Sequence, residues 1–154
     1  MRGTRKTCAP LKFGFYFGMI GSDVMAFDVK IIQHDAFLEV VVTGTYNMRD
    51  AIDRFPYVLS TCRLTGLSKV LIDFRNLTGT PAATEKIIYA FGIQDHYNEY
   101  ISTGGQDLMV AYVGSESHVS TYEPGLKIAK DDNMPFDLFT DIAEAYKWLG
   151  IQPA

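Results

Sequence analysis

The stretch KVLIDFRNLTGTPAATEKIIYAFGIQDHYNEYI, residues 69–101, decides the fold. Lys69 to Phe74 is a near-continuous apolar run of strand length, which suits a strand covered on both faces in a parallel sheet. Leu77 to Pro81 forms a Gly/Pro turn. A long helix then starts around Pro81 or Ala82, with Thr80 suited to cap it and Pro81 to its first position. Ile87, Phe91, Tyr97 and Ile101 fall on one helical face, and Gly92 weakens the middle. A strand, turn and helix in this order place polar residues at the carboxyl end of a strand, where open α/β sheets bind ligands.

Upstream, residues 26–43 read as a hairpin. AFDVKII alternates, QHDAF turns, and LEVVVTG is rich in β-branched residues. Asn47 to Thr65 reads as a helix capped by Asn47 with Asp50 three positions on, closed by Gly66, with Pro56 predicting a kink or break near Phe55. Downstream, DLMVAYVG is a second buried strand, and a helix centred on Gly125 to Lys130 follows. PFDLF is a short last strand. Asp141 and Glu144 form a capping box for a final helix whose buried stripe is Ile142, Tyr146 and Leu149.

The element order β-β-α-β-α-β-α-β-α predicts an α/β fold. It is a mixed, mostly parallel sheet of about five strands with an N-terminal antiparallel hairpin and four helices. The 154 residues suit one domain, covering residues 25–154, and a chain of this length buries about 70% of its unfolded surface without staples. Residues 1–24 read as an N-terminal appendage, on the composition shift near Met25. Within them Phe13, Phe15 and Phe17 alternate and also fit an extra edge strand, while the apolar run is too short to span a bilayer.

Composition excludes several classes. A net charge of −4 without a basic stripe speaks against nucleic-acid binding. Cys8 and Cys62 belong to no CxxC pair, so neither a disulfide framework nor structural zinc is expected, and a reducing cytoplasm is the default. No GxSxG, HExxH, GxGxxG or GxxxxGK[ST] occurs, which removes the common hydrolase, zinc-protease, dinucleotide and P-loop readings. No cofactor, metal or catalytic residue is expected.

In their order and spacing, KVLIDFRNLTG, DLMVAYVG and FTDIAEAYKWLG (residues 69–79, 107–114 and 139–150) resemble the STAS superfamily, the fold of anti-sigma-factor antagonists. The likeness is strongest to the small stand-alone SpoIIAA-like proteins of largely unassigned function. The resemblance implies a cofactor-free regulatory or protein-interaction domain. In the antagonist branch a serine or threonine after the central strand is phosphorylated, but the usual Asp-Ser-Ser/Thr-Gly run is absent here, and Leu77-Thr78-Gly79-Thr80-Pro81 stands in its place. Relatives in the broader fold hold lipids or other apolar ligands under a helix.

Two candidate sites follow. The first is a docking edge after the central strand. Asp73 and Arg75 lie on one face of the strand, where they suit an anion or partner carboxylate, or simply each other. Thr78, Thr80 and Thr84 surround a helix N-terminus that favours phosphate, or Thr80 merely caps it. The second is a pocket for a small apolar, lipid-like ligand beneath the long helix, among Tyr89, Phe91 and Tyr97, although this aromatic load also suits a homodimer face or core packing. The expected partners are therefore a protein or a small apolar ligand.

Overall fold

The computed structural model describes residues 26–131 and 133–153. The expected appendage at residues 1–24, with its alternating phenylalanines, lies outside the described residues. Five strands lie side by side in chain order: β1 (Asp28–Gln33), β2 (Leu38–Thr45), β3 (Lys69–Thr78), β4 (Met109–Val113) and β5 (Phe136–Phe139). β1 and β2 form the antiparallel hairpin, and every later pairing is parallel. Four helices join them among the described residues: α1 (Met48–Thr65), α2 (Ala83–Ser102), α3 (Glu116–Asp131) and α4 (Ile142–Leu149). The expected α/β architecture is the one observed.

The strand period of two divides the core. Val70, Ile72 and Phe74 of β3 point into the larger cluster, with Phe55, Val58 and Leu59 of α1, Ile93 and Tyr97 of α2, and Ala129 of α3. Leu71 points the other way, into a smaller cluster with Ala111, Val113 and the α4 residues Ala145 and Leu149. Three helices thus cover one face of the sheet, and α4 packs on the other.

Local chemistry sets the element ends. The Asp50 backbone N–H donates to Asn47 Oδ1 at 2.9 Å to start α1, and the Gly66 N–H returns to the Cys62 carbonyl at 2.8 Å to end it. Asp141 caps α4 by accepting from the Ala143 N–H at 2.9 Å. Gly44 has φ +92°, and a Cβ there would lie 2.0 Å from the Ala26 carbonyl oxygen, so only glycine lets β2 pass beside the start of β1.

Two helix expectations need correction. α1 runs unbroken through Pro56, because Phe55, Val58, Leu59 and Cys62 are buried along it. Burying each such side chain is worth about 1.5–3 kcal/mol, enough together to outweigh the ~3 kcal/mol cost of an interior proline. α3 likewise continues through Pro124 and is longer than the segment expected around Gly125 to Lys130. Gly125 allows its close approach to α2: a Cβ there would stand 3.3 Å from the Ala90 Cβ.

Candidate functional site

The residues singled out by sequence fall on opposite sides of the sheet. Asp73 and Arg75 project from β3 toward the α4 side. Asp73 is buried, at 8% exposure. It accepts hydrogen bonds from Arg75 Nε at 2.9 Å, Nη2 at 2.8 Å and the backbone N–H at 3.1 Å. Burial alone would raise the Asp73 carboxyl. The hydrogen bonds from the Arg75 side chain and backbone, with its charge, outweigh burial and hold the carboxyl below its ordinary range. The Arg75 side chain is 43% exposed, and the guanidinium has more donors than Asp73 takes up. His34 pairs with Glu39 at 2.7 Å, and His118 Nε2 lies 3.2 Å from the Gly79 carbonyl.

The three threonines lie at the carboxyl end of β3 and the start of α2. Thr78 donates to the Gly44 carbonyl at 3.0 Å and ties β3 to β2. Thr80 is exposed and borders an open groove with Thr45, Asn47, Arg49 and Glu85. Thr84 is exposed in the first turn of α2. The expected cap moves: α2 begins at Ala83 and its N-cap is Ala82, not Thr80. Glu85 takes over the capping, because its Oε1 accepts from the Ala82 N–H at 2.9 Å. That carboxylate already occupies part of the positive helix end, which works against a second negative group there.

The helix face beneath which a ligand was expected also shifts. α2 buries Ile93, Tyr97 and Tyr100 and half-buries Tyr89, whereas Ile87, Ile88 and Phe91 are exposed at 39%, 49% and 49%. The first half of the predicted stripe, Ile87 and Phe91, therefore faces outward, while its second half holds: Tyr97 is buried and Ile101 packs against the core. Both stripes satisfy i, i+4 spacing, and packing against the sheet and α3 selects the one through Tyr89. Phe91 accordingly stands outside any space under the helix. Tyr97 is core: its hydroxyl accepts from the Leu108 N–H at 3.3 Å and its ring meets Phe136 edge-on at 5.5 Å.

Tyr89 does line a cavity. Between the sheet and α1, α2 and α3 lies a cavity of about 120 Å³. Its walls are Val29, Val40, Ile72 and Phe74 from the strands, and Val58, Tyr89, Ile93 and Leu126 from the helices. Arg54 and Lys86 are the charged residues of the lining. Four tyrosines, 46, 89, 112 and 122, also line the cavity.

The phenols form a cluster. The Tyr89 and Tyr112 hydroxyls are 3.2 Å apart, and Tyr122 packs edge-on against Tyr89 and Phe74. Burial pushes Tyr112 up to about 12 and Tyr89 well above its ordinary value. Burial, then the Glu85 charge, pushes Tyr46 up to about 12; Tyr122 is raised by burial and then by Tyr46. All four are protonated donors at neutral pH. The Tyr46 hydroxyl is buried and has no hydrogen-bond partner among the described residues. The Tyr122 hydroxyl stands close enough to lower Tyr46 by a weak hydrogen-bonding influence, but the two phenols do not reach the geometry of a made bond.

Sequence reasoning missed Tyr46, Tyr112 and Tyr122. Alternation in β4 carried a signal for Tyr112, since Val110 and Tyr112 must share a face. Nothing local marks Tyr46, which precedes the α1 cap. Among the described residues no cluster of three or more His, Cys, Asp or Glu is placed to hold a metal, and no helix is long and apolar enough to cross a membrane.

The sequence matches no protein-family model and no curated protein. Its structure is similar to that of an anti-sigma factor antagonist from Mycobacterium paratuberculosis, with a TM-score of 0.51 at 13% identity over 81% of this chain and 95% of that one. An uncharacterised protein from Shewanella loihica with a SpoIIAA-like fold matches with a TM-score of 0.45 at 19% identity, over 84% of this chain and 98% of that one. The unphosphorylated anti-sigma factor antagonist SpoIIAA matches with a TM-score of 0.44 at 11% identity, over 83% and 100%. The first of these similarities carries the assignment, together with the strand order and pairing: this chain has a STAS-type fold.

Proposed function

We propose that this chain is a non-enzymatic STAS-fold binding domain that carries or senses a small apolar ligand between its sheet and the helices α1, α2 and α3. The cavity is the observation that supports this reading. Its volume of about 120 Å³ is close to the ~150 Å³ of an apolar cavity known to stay dry and take up benzene. A ligand of one aromatic ring or a short chain fits that space, and a long acyl chain does not. Because the walls come from three helices, occupancy would alter how α2 packs, and α2 carries Ile87, Ile88 and Phe91 on its outer side. The test is methyl NMR of the full chain titrated with ethylbenzene. Saturable shifts at the Val40, Val58, Ile72 and Ile93 methyls are expected; shifts that stay linear, or that spread over the surface, would refute it.

A second reading is docking of a protein through the edge formed by Arg75, Thr78, Thr80 and Thr84. Its support is the exposed stripe Ile87, Ile88 and Phe91 on α2, the helix whose first turn carries Thr84; clustered exposed apolar residues mark interaction surfaces. A second copy of the chain is one such partner. Sedimentation equilibrium of the wild type and of Phe91→Asp distinguishes this case: a monomer at all concentrations sinks the homodimer.

A further inference from the structure

The polar end of the cavity specifies what its ligand must carry. Among the described residues the lining is apolar except for four phenols and two cations, and three of those groups have partners. Tyr89 and Tyr112 bond each other, and Arg54 lies 5.8 Å above the Phe27 ring. Tyr46 differs: it lines the cavity, and its hydroxyl is buried with no hydrogen-bond partner among the described residues. A buried donor left unmade costs free energy, so such a group in a folded protein calls for an explanation in a bound water, ion or ligand.

We propose that the cavity selects a neutral, ring-sized ligand bearing one acceptor oxygen, a ketone, aldehyde or ester carbonyl, which accepts a hydrogen bond from Tyr46. This deepens the ligand-binding reading above and rests on it. Neutrality follows from charge. The Glu85 carboxylate lies near enough to act on both Tyr46 and Tyr122, so an anionic head at this end meets a like charge. A cationic head is disfavoured by the lining, where Arg54 and Lys86 already bring positive charge and no carboxylate stands among the described lining residues. A pure hydrocarbon would fill the space but leave Tyr46 unsatisfied.

The probes are acetophenone and isopropylbenzene, which share a ring and heavy-atom shape and differ in the carbonyl. Raw affinities are not comparable, because water solvates the carbonyl, so the readout is the effect of Tyr46→Phe on each. Dissociation constants come from methyl shifts of the full chain. Tyr46→Phe should weaken acetophenone roughly three- to tenfold, the span of one neutral hydrogen bond, and leave isopropylbenzene within about twofold. Equal effects on both, or none on acetophenone, would overturn the assignment while leaving the cavity reading intact. If neither compound binds, the cavity reading falls and takes this one with it. A larger loss of acetophenone with Lys86→Met than with Tyr46→Phe places the oxygen at the cation and also overturns it. Should Tyr46→Phe fold poorly, the carbonyl ¹³C shift of labelled acetophenone on the wild type decides. A downfield move relative to hydrocarbon solvent supports the hydrogen bond, and its absence refutes it.

Discussion

The Tyr89 and Tyr112 hydroxyls meet 3.2 Å apart across the space between α2 and β4. One phenol donates to the other, and each is the other's hydrogen-bond partner. Removing one leaves its partner a buried, unpaired hydroxyl, which costs about 1–3 kcal/mol, whereas removing both leaves two apolar rings of nearly the same shape. Tyr89→Phe and Tyr112→Phe should each destabilise by that amount in urea unfolding. The double variant should lose clearly less than the sum. Additive losses would show that the pair is not coupled.

The Asp73 and Arg75 pair predicts an inversion in acid. In the wild type the Asp73 carboxyl lies below its ordinary value, so its stabilisation is full above the unfolded pKa of about 3.9 and is lost as pH falls through the folded one. In Arg75→Ala only the backbone N–H of residue 75 still opposes burial, the largest of the influences on this group, and the carboxyl should rise above its ordinary value. Its contribution then changes sign: the variant is weakened at neutral pH, by about 1–3 kcal/mol, and recovers as acid protonates Asp73. NMR titration of the Asp73 carboxyl carbon reads this directly. A titration that stays below the ordinary range in Arg75→Ala would show that other groups hold it.

These two pairs differ in how far the sequence reveals them. Asp73 and Arg75 are two residues apart on a strand, so the pleat alone puts them on one face, and the structure adds only that they bind each other. Tyr89 and Tyr112 lie 23 residues apart on different elements, and only the packing of α2 over β4 joins them. The strands and the capped α4 were legible because runs, alternation and caps are local signals. The α2 face was not, because Ile87, Ile88, Tyr89, Ala90 and Phe91 are apolar almost all round, and which side turns inward is set by the sheet and α3. The cavity was illegible for the same reason, since its walls come from five strands and three helices.

Alkali should unfold the protein through the phenol cluster. Tyr46 and Tyr112 are pushed up to about 12, and Tyr89 and Tyr122 are also raised. In the unfolded chain each titrates near 10, so above that pH the unfolded state binds fewer protons than the native one. Stability therefore falls from about pH 10 to 12, by up to about 1.4 kcal/mol per pH unit for each phenol still protonated when folded. Buried Cys62, also pushed up to about 12, starts the decline nearer pH 9. Unfolding free energies measured from pH 8 to 12 should show this slope, shallower in Tyr112→Phe. An unchanged slope in that variant would mean Tyr112 ionises normally.

The cavity predicts that one core position tolerates a large residue while a neighbouring one does not. Val40 on β2 is 2% exposed and lines the cavity, whereas Val110 on β4 is fully buried in the same core cluster and does not. Overpacking a close-packed site costs typically about 1–3 kcal/mol and can cost more. Val110→Phe should therefore destabilise by at least that amount, since its ring has nowhere to go. Val40→Phe can turn its ring into the existing space, where the added buried apolar surface offsets the strain at roughly 25 cal/mol per Å². It should remain within about 1 kcal/mol of the wild type in urea and abolish the saturable methyl shifts produced by ethylbenzene. Loss of stability equal to that of Val110→Phe would show that the space beside Val40 is too small to matter. Retained ethylbenzene binding in a stable Val40→Phe would place the ligand elsewhere.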